Sequence, residues 1–222
     1  MTPKLILFDV DGTLVDSQNH ILAAMTHAFE RHGMTPPSHA ATLSIVGLSL
    51  PQAIARLAPE LDDQKNAELV EAYKRSFVEN RTGGRDHSPL YPHVRDVLET
   101  LKAVPDYVLG VATGKSRQGL DIVLRTHKLT GFFMTEQVSD HHPSKPHPAM
   151  VQAALSETGI EPGHAVMIGD TSFDMDMGRA AGAHTVGVSW GYHPLETLQK
   201  ASPARIIDDI RHLPAQLSEL WS

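Results

Sequence analysis

Two hydrophobic rhythms alternate along the chain. The run Leu5, Ile6, Leu7, Phe8 is short and continuously apolar, the mark of a buried strand. From Ser17 to about Gly33 the period lengthens. Ile21, Leu22, Met25, Ala28 and Phe29 recur every three or four residues and predict a helix that Asp16 or Ser17 starts and Gly33 ends. Further helices are expected around residues 49–58 and 63–80, before the polar stretch RTGGRDHSP. Strand signals are sparse throughout this part. Beyond Tyr91 the elements alternate: YVLGVAT (107–113), HAVMIGD (164–170) and HTVGVSW (184–190) read as strands, with helices near 93–103, 115–127, 147–158 and 174–181. ARIIDDI is a candidate edge strand before a final helix.

Near-continuous apolar strands alternating with helices predict an α/β fold, a parallel sheet covered on both faces. The helical block between the first strand and the next reads as an insertion, hinged near Asp16 and near residues 82–90.

The strand ends carry the chemistry. In open parallel sheets, ligands bind outside the carboxyl ends of the strands. There the sequence puts Asp9 and Asp11, Thr113 and Gly114, and Gly169 and Asp170, with Lys145 in the loop SKPHP ahead of a helix that begins near Pro148. Alternation along a strand aims Asp9 and Asp11 the same way, which is costly unless a positive group, most economically a divalent cation, lies beside them. An aspartate is a competent nucleophile toward phosphorus, and a second can act as acid and then base. Asp9 and Asp170 suit Mg2+. Lys145, the Thr113 hydroxyl and the N–H groups around Gly114 and Lys115, at an expected helix start, suit phosphate oxygens. Asp174, in the first turn of a helix beginning near Ser172, is close enough to support the metal, whereas Asp176 faces elsewhere.

Composition narrows the partners. The 222 residues include 41% hydrophobic residues and no cysteine, so a sizeable core is possible and thiolate chemistry is excluded. A net charge of −7 argues against nucleic acid and leaves small phosphorylated substrates open. No stretch approaches membrane-spanning length and no secretory leader opens the chain, so a cytoplasmic protein is expected. The 14 histidines are scattered, and the densest group, in DHHPSKPHP, reads as a solvated loop.

DVDGT (9–13), the threonine of VATGK (111–115), the lysine of SKPHP (144–148) and GDTSFD (169–174), in that order, resemble the phosphatases of the haloacid dehalogenase superfamily. IVGLSLPQAI and GVSWGY are most similar to its phosphoglycolate phosphatase-like branch. The resemblance implies a Rossmann-like, doubly wound core of residues 1–15 and 88–222, with a small all-helical cap domain of residues 16–87. It also implies Asp9 as nucleophile, Asp11 as general acid/base, and phosphate binding by Thr113, Gly114 and Lys145. Mg2+ would be held by Asp9, the Asp11 carbonyl and Asp170, with Asp174 in support. Gly47, Leu48, Ser49 and Arg56 are the cap's candidate substrate contacts. The expected reaction is hydrolysis of a small phosphate monoester by a monomer or homodimer. Phosphomutase and pyrophosphatase readings use the same residues, and Asp11 argues against a dehalogenase. A phospho-acceptor signalling domain is the alternative from another class.

Overall fold

The computed structural model describes residues 2–82 and 88–221. Strand β1 (Lys4–Phe8) leads into α1 (Gln18–Arg31), α2 (His39–Leu43), α3 (Leu50–Leu57) and α4 (Asp63–Thr82). Then come α5 (Val94–Lys102), β2 (Tyr107–Thr113), α6 (Arg117–Thr126), β3 (Thr135–Val138), α7 (Ala149–Thr158), β4 (Ala165–Gly169) and α8 (Ser172–Ala180). The chain closes with β5 (His184–Val188), α9 (Leu195–Lys200), β6 (Arg205–Ile207) and α10 (Leu213–Leu220).

The six strands form one sheet in the order β3-β2-β1-β4-β5-β6, with every pairing parallel. Strand β1 lies in the middle, Phe8 level with Val111 on one side and with Ile168 on the other. The pleat divides its residues. Leu5 and Leu7 face a cluster with Met150, Val151, Ala154 and Met177, while Ile6 and Phe8 face Leu98, Leu101, Leu120 and Leu217. Burial on both faces is why these strands read as unbroken apolar runs.

Helices α1 to α4 bury a third cluster of their own, including Met25, Phe29, Ile45, Leu48, Ile54 and Leu69. The three- and four-residue spacing seen in the sequence is the stripe that α1 turns toward α4. The chain leaves and re-enters the sheet along paired segments: Asp16 N–H donates to the Pro89 carbonyl at 2.9 Å and Tyr91 N–H to that of Leu14 at 3.0 Å. Of the two expected hinges, Asp16 lies on this ladder, and the second falls partly on residues 83–87, outside the described residues.

Three local expectations are corrected. TEQV forms β3 although only four residues long and half-polar, because the edge beside β2 buries just Thr135 and Val138. His39–Leu43 adds a short helix, capped by the Ser38 hydroxyl. Helix α6 begins at Arg117, since the Ser116 hydroxyl accepts from Gly119 N–H and stops the helix short of Gly114 and Lys115. Among the described residues no helix is long and apolar enough to cross a membrane.

Candidate active site

Adjacent strands β2, β1 and β4 end at the same edge of the sheet, and the strand order reverses between β1 and β4. Asp9 follows β1, Thr113 closes β2 and Asp170 follows β4. The topology therefore gathers residues far apart in sequence at a switch point.

Asp9 is buried, and its Oδ1 lies 3.0 Å from the Lys145 ammonium. Oδ2 has no hydrogen-bond partner. Lys145, itself fully buried, also meets Asp174 Oδ1 at 2.6 Å. Asp174 Oδ2 accepts from Thr171 N–H at 3.1 Å and from its hydroxyl at 2.7 Å, completing a capping box at the start of α8. Burial pushes the Asp9 carboxyl up to about 6, with Lys145 pulling it down and Asp174 and Asp11 adding to the rise. Burial alone would lower Lys145, but Asp174 and Asp9 hold it above the usual lysine range.

Asp170 accepts from the Thr13 hydroxyl through Oδ1 at 3.0 Å and from Tyr192 N–H through Oδ2 at 2.8 Å. Burial, then Asp174 and Asp9, still raise its carboxyl well above the ordinary range. Gly191 allows the backbone to pass this close, since a Cβ there would stand 2.1 Å from that of Asp170.

One oxygen from each of Asp9, Asp170 and Asp174 falls within 4.8 Å of the others. Three clustered buried carboxylates, two of them on one lysine and one with an unpartnered oxygen, are the donor set a hard divalent cation takes. Octahedral bonds of about 2.1 Å span such a gap with small side-chain adjustments. The sequence paired Asp174 with the metal, and here it also anchors Lys145.

Asp11 and Asp9 meet different lysines. Asp11 Oδ2 lies 2.9 Å from Lys115 Nζ, and Oδ1 accepts from the Ser17 hydroxyl. Ser17 is the residue before α1, but its hydroxyl serves Asp11 and leaves the helix without a side-chain cap. Tyr192 OH accepts from Ser17 N–H at 3.0 Å and lies 3.2 Å from the Ser17 hydroxyl. The Tyr192 hydroxyl also hydrogen-bonds the Tyr91 phenol. Burial and Asp11 keep the Tyr192 phenol protonated.

The Thr113 hydroxyl accepts from Lys115 N–H at 3.3 Å, which keeps its own proton available for an incoming oxygen. The Lys115 N–H is thereby turned inward rather than offered at a helix start. Gly114 lets another segment come close: a Cβ there would lie 2.5 Å from the Gly47 carbonyl and 2.7 Å from that of Leu48. Ser49 N–H reaches the Ser144 hydroxyl at 2.8 Å, next to Lys145. Gly47, Leu48 and Ser49 line a cavity of about 820 Å3 together with Asp9, Asp11, Thr113 and Gly114. Arg56 is not brought to this cavity; its guanidinium stacks on Phe173 at 5.1 Å.

Sequence reasoning named Lys115 only for its backbone N–H and Ser17 only as a helix cap, missing their side-chain contacts with Asp11, and it missed Tyr192 and His193 altogether. Tyr192 acts through a backbone N–H and an OH that no spacing reveals. Trp190, in the stretch GVSWGY, donates its indole N–H to the Thr13 carbonyl at 3.2 Å. Lys115, two residues after Thr113, was the one detectable from position alone.

The sequence is 35% identical over 208 residues to pyrophosphatase PpaX of Bacillus pumilus, covering 91% of this chain and 90% of that one. Among solved structures, a haloacid dehalogenase-like family hydrolase of Streptococcus pneumoniae superposes with a TM-score of 0.83 at 26% identity, over 96% of this chain and 98% of the other. A protein from Haemophilus somnus described as a predicted phosphoglycolate phosphatase gives 0.84 at 26% identity, over 97% and 98%. The profile of the haloacid dehalogenase-like hydrolases matches residues 6–188, and the chain belongs to that family.

Proposed function

We propose that the chain is a Mg2+-dependent phosphatase that hydrolyses a small phosphate monoester through a phosphoaspartate on Asp9. The carrying observation is Asp9 Oδ2, a buried carboxylate oxygen with no hydrogen-bond partner at the floor of the 820 Å3 cavity.

Asp9 attacks the phosphorus, and the bond from phosphorus to the ester oxygen breaks. Asp11 gives the departing oxygen its proton. A water that Asp11 then deprotonates attacks the phosphoaspartate, releasing phosphate and restoring the Asp9 carboxylate. The Thr113 hydroxyl and the Gly114 segment hold the transferring oxygens, and Lys145 offsets charge while fixing Asp9. Asp9 and Asp170 would hold Mg2+, with the Asp11 carbonyl as the further ligand the family resemblance implies and Asp174 in support. When bound, the ion neutralises charge on the phosphoryl group and orients it.

Residues 16–87 are assigned as a cap that closes over a core of residues 1–15 and 88–222, rotating on the paired segments at Asp16 and Pro89. The separate hydrophobic cluster of α1 to α4 supports that division. Gly47, Leu48 and Ser49 are its substrate contacts; Arg56 stacks on Phe173. A small metabolite is the expected partner and the cytoplasm the expected location. The Bacillus relative's name favours one second reading, in which the bond broken is a phosphoanhydride.

Phosphate release from a panel of monoesters and pyrophosphate, with Mg2+ and with a chelator, tests the assignment. Chelator-sensitive turnover that disappears in Asp9→Asn is expected. Turnover indifferent to both changes would overturn it.

A further inference from the structure

Lys115 holds the second ammonium of the site, and no step of the proposed hydrolysis uses it. Its side chain is 9% exposed. One N–H faces Asp11 Oδ2 at 2.9 Å, and the ring of Phe77 lies 5.3 Å away. An ammonium carries three donors, and among the described residues only Asp11 accepts from this one. Asp11, Lys115 and Phe77 also form the wall between the 820 Å3 cavity and a neighbouring one of about 460 Å3.

The other cations of the larger cavity are differently placed. Lys74 pairs with Glu71, Arg117 pairs with Asp121 and Glu136, and Arg125 is exposed. Lys145 is enclosed between Asp9 and Asp174. Lys115 is therefore the cation beside the group that protonates the leaving oxygen. A leaving oxygen within hydrogen-bond reach of Asp11 has this ammonium one hydrogen bond further on.

We propose that Lys115 determines specificity by binding a negatively charged oxygen group carried on the leaving group, one or two atoms from the scissile oxygen. The proposal rests on the phosphatase reading above, since it uses Asp11 as the proton donor. A nearly enclosed ammonium with a donor that no described residue takes up attracts such a charge more strongly than one in water. A neutral leaving group leaves that donor unanswered, and sites built to pair a polar group discriminate against substrates that lack it. A carboxylate and a second phosphate both supply the chemistry.

The test compares the Mg2+-loaded full chain with Lys115→Met and Lys115→Arg on phosphoglycolate, pyrophosphate and ethyl phosphate, the last being uncharged beyond its ester oxygen. The wild type should favour at least one anionic substrate over ethyl phosphate tenfold or more in kcat/KM. Because Lys115 also contacts Asp11, Lys115→Met should lower kcat on every substrate. The ratio of kcat/KM between the preferred anionic substrate and ethyl phosphate should also fall at least tenfold, chiefly through KM. Lys115→Arg should retain most of that ratio, which separates lost charge from lost folding. The anionic substrate that loses the preference identifies carboxylate or phosphate as the group read.

An unchanged ratio in Lys115→Met would overturn the proposal and reduce Lys115 to a support for Asp11. So would a wild type that handles ethyl phosphate as well as both anionic substrates, although the phosphatase reading would then stand. A wild type that turns over none of the three overturns both.

Discussion

Asp174 joins Lys145 to the start of helix α8: one oxygen meets the ammonium at 2.6 Å and the other accepts from Thr171 N–H at 3.1 Å. A single carboxylate thus fixes the position of the buried cation and caps a helix. Asp174→Ala removes both functions and leaves Lys145 with Asp9 alone. Unfolding by denaturant should show a loss of about 3–5 kcal/mol, read as a lower midpoint at unchanged slope.

Asp9 is ionised at a cost. Its carboxyl is pushed from 3.8 to about 6, so ionisation at neutral pH opposes folding. That cost is absent below the unfolded value and complete above the folded one. In metal-free protein at pH 7, Asp9→Asn should raise stability by roughly 1–3 kcal/mol while abolishing turnover. The gain should shrink toward pH 5, where the folded wild type has already taken up the proton. Thermal unfolding across that range checks the sign.

Gly191 leaves no room for a side chain beside Asp170. Gly191→Ala should displace that carboxylate and weaken cation binding with the sheet intact. In the wild type, Mg2+ at a hundredfold excess over its dissociation constant should add about 2.7 kcal/mol of stability. The same titration of Gly191→Ala should show the shift moved to at least tenfold higher Mg2+.

His193 ties the sheet to the inserted helices. Its Nδ1 accepts from Ser172 N–H at 3.1 Å, so Nε2 carries the proton and donates to the Ser44 carbonyl at 3.2 Å. A second proton would set two N–H groups against each other. Burial lowers the ring below its usual 6.5. The unfolded chain therefore protonates first, and the stability this contact supplies above about 6.5 is lost as pH falls. The melting-temperature difference between wild type and His193→Gln should narrow on acidification from pH 7.5 to about 5.5, and in that difference the contribution of Asp9 cancels.

Legibility followed burial on both sides of the sheet. β1, β2, β4 and β5 were readable because each is enclosed, which forces unbroken apolar runs; β3, at an edge with two half-exposed positions, carried no such mark. The site followed the same division. Asp9, Asp11, Thr113, Asp170 and Asp174 could be expected at one edge of the sheet because strand ends and a helix start fix their places. Tyr192 and Gly191 could not be found from pattern, because one contributes a backbone N–H and the other only an absence of atoms. The stacking of Arg56 on Phe173 could not be read from its helix, because it is a contact with a residue more than a hundred positions away.

Strand order has a consequence for how the protein is made. β1 is translated well before its neighbours on either side, β2 and β4. Helices α1 to α4 can settle their own cluster in the interval, while the apolar β1 has neither of its strand partners. Asp9 is thus kept apart from Asp170 and Asp174 until synthesis has passed them. A nascent chain has no assembled centre with which to capture a cation or a phosphate before the barrel of the ribosome tunnel has released most of its length.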